Sequence, residues 1–458
     1  MDPTIFREYD IRGIVDKDID KEIAVMIGKG FGSSLIRQGR KSLAVGRDNR
    51  LSSKRLEDAV IEGLTSTGLT AIDVGQLPTP ALYFSVIHLK ADGGIMITAS
   101  HNPAQYNGFK LRKGEQAVFG EEIQKIREVI EKGLFERGNG KKEEVNTIPA
   151  YITAIRERIK LSRKVKVVVD AGNGTTGPIA TPLLRELGCD VVELYCEPDG
   201  NFPHHLPDPT VEENLVDLSR KVREEKAEVG IGYDGDGDRV GAVDERGNIL
   251  WGDQILTVFA REALKKRSPA PIVFDVKCSQ SLIDTIKRYG GIPVMWRTGY
   301  PHIQSKMREI NAPVGGEMSG HMYFADNYFG YDDGIFASCR LLEIISHDKE
   351  EGVSHLLSDV PTYPSTPEIR TECSEADKFK IVEDVKEFFS RGYETIDIDG
   401  VRIIFDDGWA LIRASNTQPL LVLRFEAKTQ KRLEEIKNLV RDKLKSYPSV
   451  KLAFNEKD

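Results

Sequence analysis

The chain has 458 residues, of which 40% are hydrophobic and 30% charged, with 64 Lys and Arg against 72 Asp and Glu. That length exceeds what one hydrophobic core serves, so several domains are expected, in a composition typical of soluble globular proteins. A net charge of −8 without a long basic run argues against nucleic acid, and any anion site must be built from local Arg, Lys and metal charge.

The N-terminus, MDPTIFREYDIRG, is charged almost at once and has no apolar h-region. No stretch reaches the roughly 18 unbroken apolar residues of a membrane helix. Five scattered cysteines, an odd number without a CxxC pair, fit reduced thiols in the cytoplasm better than disulfides or a zinc site.

One unit recurs three times. A short apolar strand runs into an Asp, a polar loop and then a helix: SLAVGRDNRLSS (42–53), VKVVVDAGNGTTG (165–177) and PIVFDVKCSQS (271–281). Apolar runs ending abruptly at polar loops read as buried parallel strands. Each unit then reaches a second loop of unusual chemistry, in GGIMITASHNP, VGIGYDGDGDR and APVGGEMSGH. Turn signals follow (RKGE, DERG, ADNY), each predicting a hairpin, and then an amphipathic helix. Beyond Pro361 a helix near Lys378 to Phe389 precedes hairpins turning at Asp399-Gly400 and Asp407-Gly408, a strand LLVLRFEA and a charged closing helix. The expected domains are 1–148, 149–249, 250–361 and 362–458, the last an α+β domain of different build.

DGDGDR sets Asp234, Asp236 and Asp238 at alternate positions in a glycine-punctuated loop. Three such carboxylates converge on one hard cation, and magnesium is favoured because positions remain for water and a phosphate oxygen. An EF-hand fails, since Arg239 stands where its Gly is required and the flanks read as strands. TASHNP places Ser100 just beyond a strand, where α/β folds present reactive groups; read alone, it is equally a capping turn. His101 reads as a neighbour in sequence rather than a positioned base, and His204 and His205 as surface residues.

GEMSGH offers Glu317, Ser319 and His321 for neighbouring hydroxyls. RASNTQP offers Arg413, Ser415, Asn416 and Thr417 as a phosphate cradle. Arg7, Tyr9 and Arg12 in FREYDIRG are candidates to close over a sugar phosphate, with Arg12 alternatively pairing with Asp10. Lys110 is a candidate acid or base, and Lys277 and Arg239 are candidate anion contacts.

Together FREYDIRG, TASHNP with NGFK, NFPHHLPDPTVEENL, DGDGDR, DVKCS, GEMSGH and RASNTQP, in this order, resemble the α-D-phosphohexomutase family, especially its phosphomannomutase/phosphoglucomutase group. The resemblance covers essentially the whole chain. It implies a heart-shaped enzyme of three related α/β domains with mixed sheets plus a smaller α+β C-terminal domain. It implies a phosphoserine at Ser100, Mg²⁺ held by Asp234, Asp236, Asp238 and the Ser100 phosphate, and hexose 1,6-bisphosphate as intermediate and activator. Glu317 and Ser319 would contact sugar hydroxyls, and Arg413, Ser415, Asn416 and Thr417 the non-reacting phosphate. Arg12, Lys110, Arg239, Lys277 and His321 would line the reaction centre. The implied substrates are mannose or glucose phosphates, with a phosphoglucosamine mutase as the alternative enzyme. A non-catalytic sugar-phosphate-binding homologue is the alternative of another class, which the intact Ser100 and aspartates oppose. The group often reads T-G-H where this chain has Thr298-Gly299-Tyr300, which leaves His302 as a candidate replacement. The sequence leaves the oligomeric state open.

Overall fold

The three recurring units become three mixed sheets of one topology. The computed structural model describes residues 1–349, 352–415 and 419–452. In the second sheet Lys166–Asp170 is flanked by parallel neighbours Asp190–Leu194 and Val229–Tyr233, and Val240–Asp244 adds antiparallel to the latter. The third sheet repeats this with Pro271–Asp275 between Ile292–Trp296 and Val314–Gly316, followed by antiparallel Met322–Phe324. The first does so with Ser42–Arg47 between Thr70–Gln76 and Gly93–Ile97, followed by Tyr106–Lys113, and adds Ile11–Ile14 and Lys142–Glu144 at its edges.

In each sheet the first strand sends its chain to one side and then back to the other. The loops at the carboxyl ends of the first and third strands therefore lie beside a switch point, where open α/β sheets form ligand crevices. The TASHNP, DGDGDR and GEMSGH loops occupy equivalent places, each joining the third strand to its antiparallel partner. The sequence reading put hairpins only at the later turns. RKGE and DERG do close further hairpins, onto Gln116–Ala117 and Ile249–Leu250. ADNY does not: only an isolated bridge between Tyr323 and Asp332 forms there.

The last sheet is antiparallel, in the order Glu394–Ile396, Val401–Phe405, Gly408–Ala414, Leu420–Ala427, Ile369–Cys373, Val450–Lys451. Helices Lys378–Ser390 and Gln430–Leu444 cover one face, burying Val401, Ile403, Phe405, Ala410 and Ile412 against them. Strand alternation turns Arg402, Trp409, Leu411 and Arg413 to the other side.

The cores divide unevenly. One apolar cluster runs without a break through parts of the first three units, from Ala44 and Tyr83 through Val167 and Val240 to Phe336 and Val353. The fourth has its own core and meets the third through a small cluster of Val276, Trp409 and Leu411. Among the described residues no helix is long and apolar enough to cross a membrane.

Candidate active site

Ser100 is 2% exposed and adopts φ +50°, a left-handed backbone unusual for a residue with a Cβ. Such strain persists only where surroundings impose it, and Arg50 imposes it here. The buried guanidinium donates to the carbonyls of Ser100 (2.8 Å), Asn102 (2.6 Å), Pro103 (2.7 Å) and Tyr106 (3.1 Å). Its Nε faces Asp48 at 3.1 Å, and Phe202 stacks on it at 5.0 Å. Arg12 ties the same loop from the other side, donating to Asn102 Oδ1 at 2.8 Å while paired with Asp10 at 2.5 Å.

The aspartate loop lies directly against this turn. Ser100 Oγ donates to Asp234 Oδ2 at 2.6 Å. A Cβ on Gly235 would stand 2.5 Å from the Ser100 carbonyl, so only glycine permits the approach. Asp234, Asp236 and Asp238 are fully buried and offer oxygens all within 4.8 Å of one another. Lys110 Nζ bridges Asp236 (2.7 Å) and Asp238, and Thr79 Oγ1 donates to Asp236 at 2.5 Å. Burial, and then Asp238 and Asp236, push Asp234 well above the usual carboxylate range. Burial also acts to raise Asp236, but Lys110 and Thr79 outweigh it and hold that carboxyl low.

Three carboxylates buried in one pocket do not all ionise comfortably without compensating charge. Asp236 Oδ1 and Asp238 Oδ1 are buried without a hydrogen-bond partner. An all-oxygen, anionic, partly unsatisfied donor set fits a hard divalent cation.

Lys110 is itself well above its ordinary range: burial works to discharge it, and Asp236 and Asp238 overcome that. Its Nζ thus lies between two of the candidate cation ligands. His321 Nε2 accepts from Arg239 Nε at 3.0 Å, while Nδ1 stands 2.8 Å from Asp332 and 3.7 Å from Asp238. Burial lowers its proton affinity, but Asp238 and Asp332 reverse this and the net shift is upward. Arg239 also caps Asp234 Oδ1 through its N–H at 3.1 Å.

The third and fourth units supply the far wall. Glu317 accepts from the Gly299 N–H (2.6 Å) and the Tyr323 hydroxyl (3.1 Å), and Ser319 follows in the same half-buried turn. Lys277 stands 3.2 Å from Glu368, and Arg413 Nε 3.1 Å from Asp399. Ser415 is buried beside Lys378, whose Nζ reaches its carbonyl at 2.6 Å. Asn416 and Thr417 lie outside the described residues. Tyr9 donates to the Thr298 carbonyl at 2.8 Å.

His302 packs edge-on against Phe119 (5.1 Å) and Tyr9 (5.6 Å), 4.0 Å from Glu8. Tyr300, rather than His302, lies beside Lys110 and His321, with Lys110 Nζ 5.7 Å from its ring centre and the His321 ring 6.2 Å away.

His101 does lie close to the serine side chain: its Nδ1 is 3.1 Å from Ser100 Oγ and its Nε2 4.0 Å from Asp208, while the Ser100 hydroxyl donates to Asp234. The reading of His205 as a surface residue fails, because it pairs with Asp170 at 3.1 Å and is only partly exposed; His204 is exposed. Arg50, Thr79 and Asp332 were not foreseen. The one available signal was Arg50, which stands in the loop of the first repeated unit.

Four family models match in series: phosphoglucomutase/phosphomannomutase α/β/α domains I (residues 3–137), II (149–247) and III (251–363), and the C-terminal domain (368–443). A phosphomannomutase/phosphoglucomutase of Pseudomonas aeruginosa is 47% identical over 97% of this chain and 96% of its own. A phosphoglucomutase of Neisseria gonorrhoeae is 42% identical over 97% of each. A crystal structure of a phosphoglucomutase/phosphomannomutase family protein from Burkholderia thailandensis superposes with TM-score 0.93 at 41% identity, covering 99% of this chain and all of that one. With all four domain models in order and full-length relatives at this identity, the chain belongs to the phosphoglucomutase/phosphomannomutase family.

Proposed function

We propose that this isomerase interconverts hexose 1-phosphate and hexose 6-phosphate, of mannose or glucose, through a phosphorylated Ser100 and a hexose 1,6-bisphosphate. The observation that carries the reading is the 2.6 Å contact between a buried, conformationally strained serine hydroxyl and a carboxylate of a buried aspartate trio.

In the forward half-reaction the bond between phosphorus and Ser100 Oγ breaks and one to the free sugar hydroxyl forms. The hydroxyl proton passes to His321 once closure on substrate frees its Nε2 from Arg239, and is returned to the departing Ser100 oxygen; Asp332 stands 2.8 Å from Nδ1. Arg12, Lys110 and Arg239 supply fixed positive charge around the transferring group. Mg²⁺, held by Asp234, Asp236, Asp238 and the Ser100 side chain, would neutralise phosphoryl oxygen charge. Glu317 and Ser319 bind ring hydroxyls, and Lys277, Arg413 and Ser415 bind the non-reacting phosphate. The bisphosphate turns end for end and returns its other phosphoryl group to Ser100. The thin apolar contact between the fourth domain and the third supports a closure that opens for that turn.

Coupled assays with mannose, glucose and glucosamine 1-phosphates test the reading. Turnover of mannose or glucose 1-phosphate that drops by several orders of magnitude in Ser100→Ala supports it. A variant at near wild-type rate defeats it, and preference for glucosamine 1-phosphate would make this a phosphoglucosamine mutase.

A further inference from the structure

The Asp399-Gly400 turn of the fourth domain does more than reverse a hairpin. Asp399 Oδ2 accepts from Arg413 Nε and from the backbone N–H of Thr298 in the third domain, each at 3.1 Å. Beside it, Arg297 Nε donates to the Ile398 carbonyl at 3.1 Å. The carbonyl of the same Thr298 accepts from the Tyr9 hydroxyl of the first domain at 2.8 Å. The next N–H, of Gly299, donates to Glu317 at 2.6 Å. Thr298 thus ties the first, third and fourth domains, and the following N–H reaches the sugar-facing carboxylate.

Local geometry fixes Asp399 in this place. Gly400 has φ +75°, and a Cβ there would stand 2.4 Å from the Ile412 carbonyl and 2.6 Å from Arg413 Cβ. The turn is therefore pressed against the backbone of the strand that carries Arg413. The carboxylate so held is a bifurcated acceptor with one donor in each domain, both pulling toward one oxygen.

We propose that Asp399 is a positioning residue that latches the fourth domain to the Thr298-Gly299 segment, orienting Arg413 for the distal phosphate and Glu317 for the ring hydroxyls in one closure. The proposal rests on the mutase reading for its kinetic consequence, but its conformational consequence stands apart. The latch makes closure and recognition one event. Its loss leaves the chemistry at Ser100 intact while weakening capture of a phosphorylated hexose.

The test compares Asp399→Ala and Asp399→Asn with wild type by steady-state kinetics on hexose 1-phosphate and by small-angle X-ray scattering, with and without hexose 6-phosphate. Asp399→Ala is expected to raise KM at least tenfold with a smaller change in kcat, and to lose the compaction that ligand gives wild type. Asp399→Asn keeps one acceptor oxygen and should recover part of both. Tyr9→Phe should cost less in the Asp399→Ala background than alone, since both act through the backbone of Thr298. A folded Asp399→Ala enzyme with wild-type KM and wild-type compaction overturns the latch while leaving the mutase reading standing. A wild type inactive on every hexose phosphate defeats the mutase reading, and scattering then still decides the latch.

Discussion

Replacing Arg50 tests whether the strained geometry of Ser100 is imposed from outside its own loop. The guanidinium makes four donations to carbonyls between residues 100 and 106 and pairs with Asp48. Hydrogen bonds to a charged group contribute about 1.5–3 kcal/mol each, but burial of the cation offsets part of this. The net cost of removing one partner of such a buried pair is about 3–5 kcal/mol. Relaxing the left-handed turn at Ser100 returns about 1–3 kcal/mol of strain, so the loop moves rather than staying in place. A shift of about 1 Å at a reacting atom costs on the order of a hundredfold in rate. Arg50→Met should therefore lower kcat at least a hundredfold and reduce thermal stability, and Arg50→Lys, which lacks the planar fork, should fall between. Turnover and thermal denaturation on the same preparations decide it. Arg50→Met that melts like wild type and retains more than a tenth of its kcat refutes the reasoning.

Other perturbations follow from the same geometry. Glu57, buried beside Arg47 at 3.2 Å, is pushed up to about 7 by burial, so the native state holds its proton more tightly than the unfolded chain. That contribution is full below about 4.5 and lost as pH rises through about 7, about 3 kcal/mol in all. Wild type should lose melting temperature relative to Glu57→Gln between pH 5 and 8, and parallel curves contradict this. Trp409, 2% exposed with the Arg402 guanidinium 3.7 Å from its ring centre, anchors the fourth domain; Trp409→Ala should cost about 3–5 kcal/mol by chemical denaturation. Lys110→Met removes the ammonium between Asp236 and Asp238, so Mg²⁺ should bind more tightly by calorimetry while kcat falls at least a hundredfold. Unchanged metal affinity would show that the ammonium and the cation do not share this charge.

What the sequence disclosed depended on how far its partners lay along the chain. Asp234, Asp236 and Asp238 were legible because alternate carboxylates and glycines fall within five residues. The repeated units were legible because each apolar strand ends at a polar loop, and the three sheets share one strand order. Arg50 and Thr79 were not, since their partners lie about 50 and 157 residues away. The 3.1 Å contact between His101 and Ser100 was not legible, because it forms at the left-handed backbone of Ser100, which the sequence does not announce. Asp399 showed only its turn chemistry, because the N–H it accepts from belongs to another domain.

The central claim is that Ser100 carries the phosphoryl group in turnover. Incubating the purified enzyme with hexose 1,6-bisphosphate labelled in phosphorus, then mapping label by peptide mass spectrometry, tests it directly. The account predicts one labelled phosphoryl group, on the peptide containing Ser100, chased off by unlabelled hexose 1-phosphate and absent from Ser100→Ala. Label on another residue, or turnover of hexose phosphate with Ser100 never labelled, would contradict it.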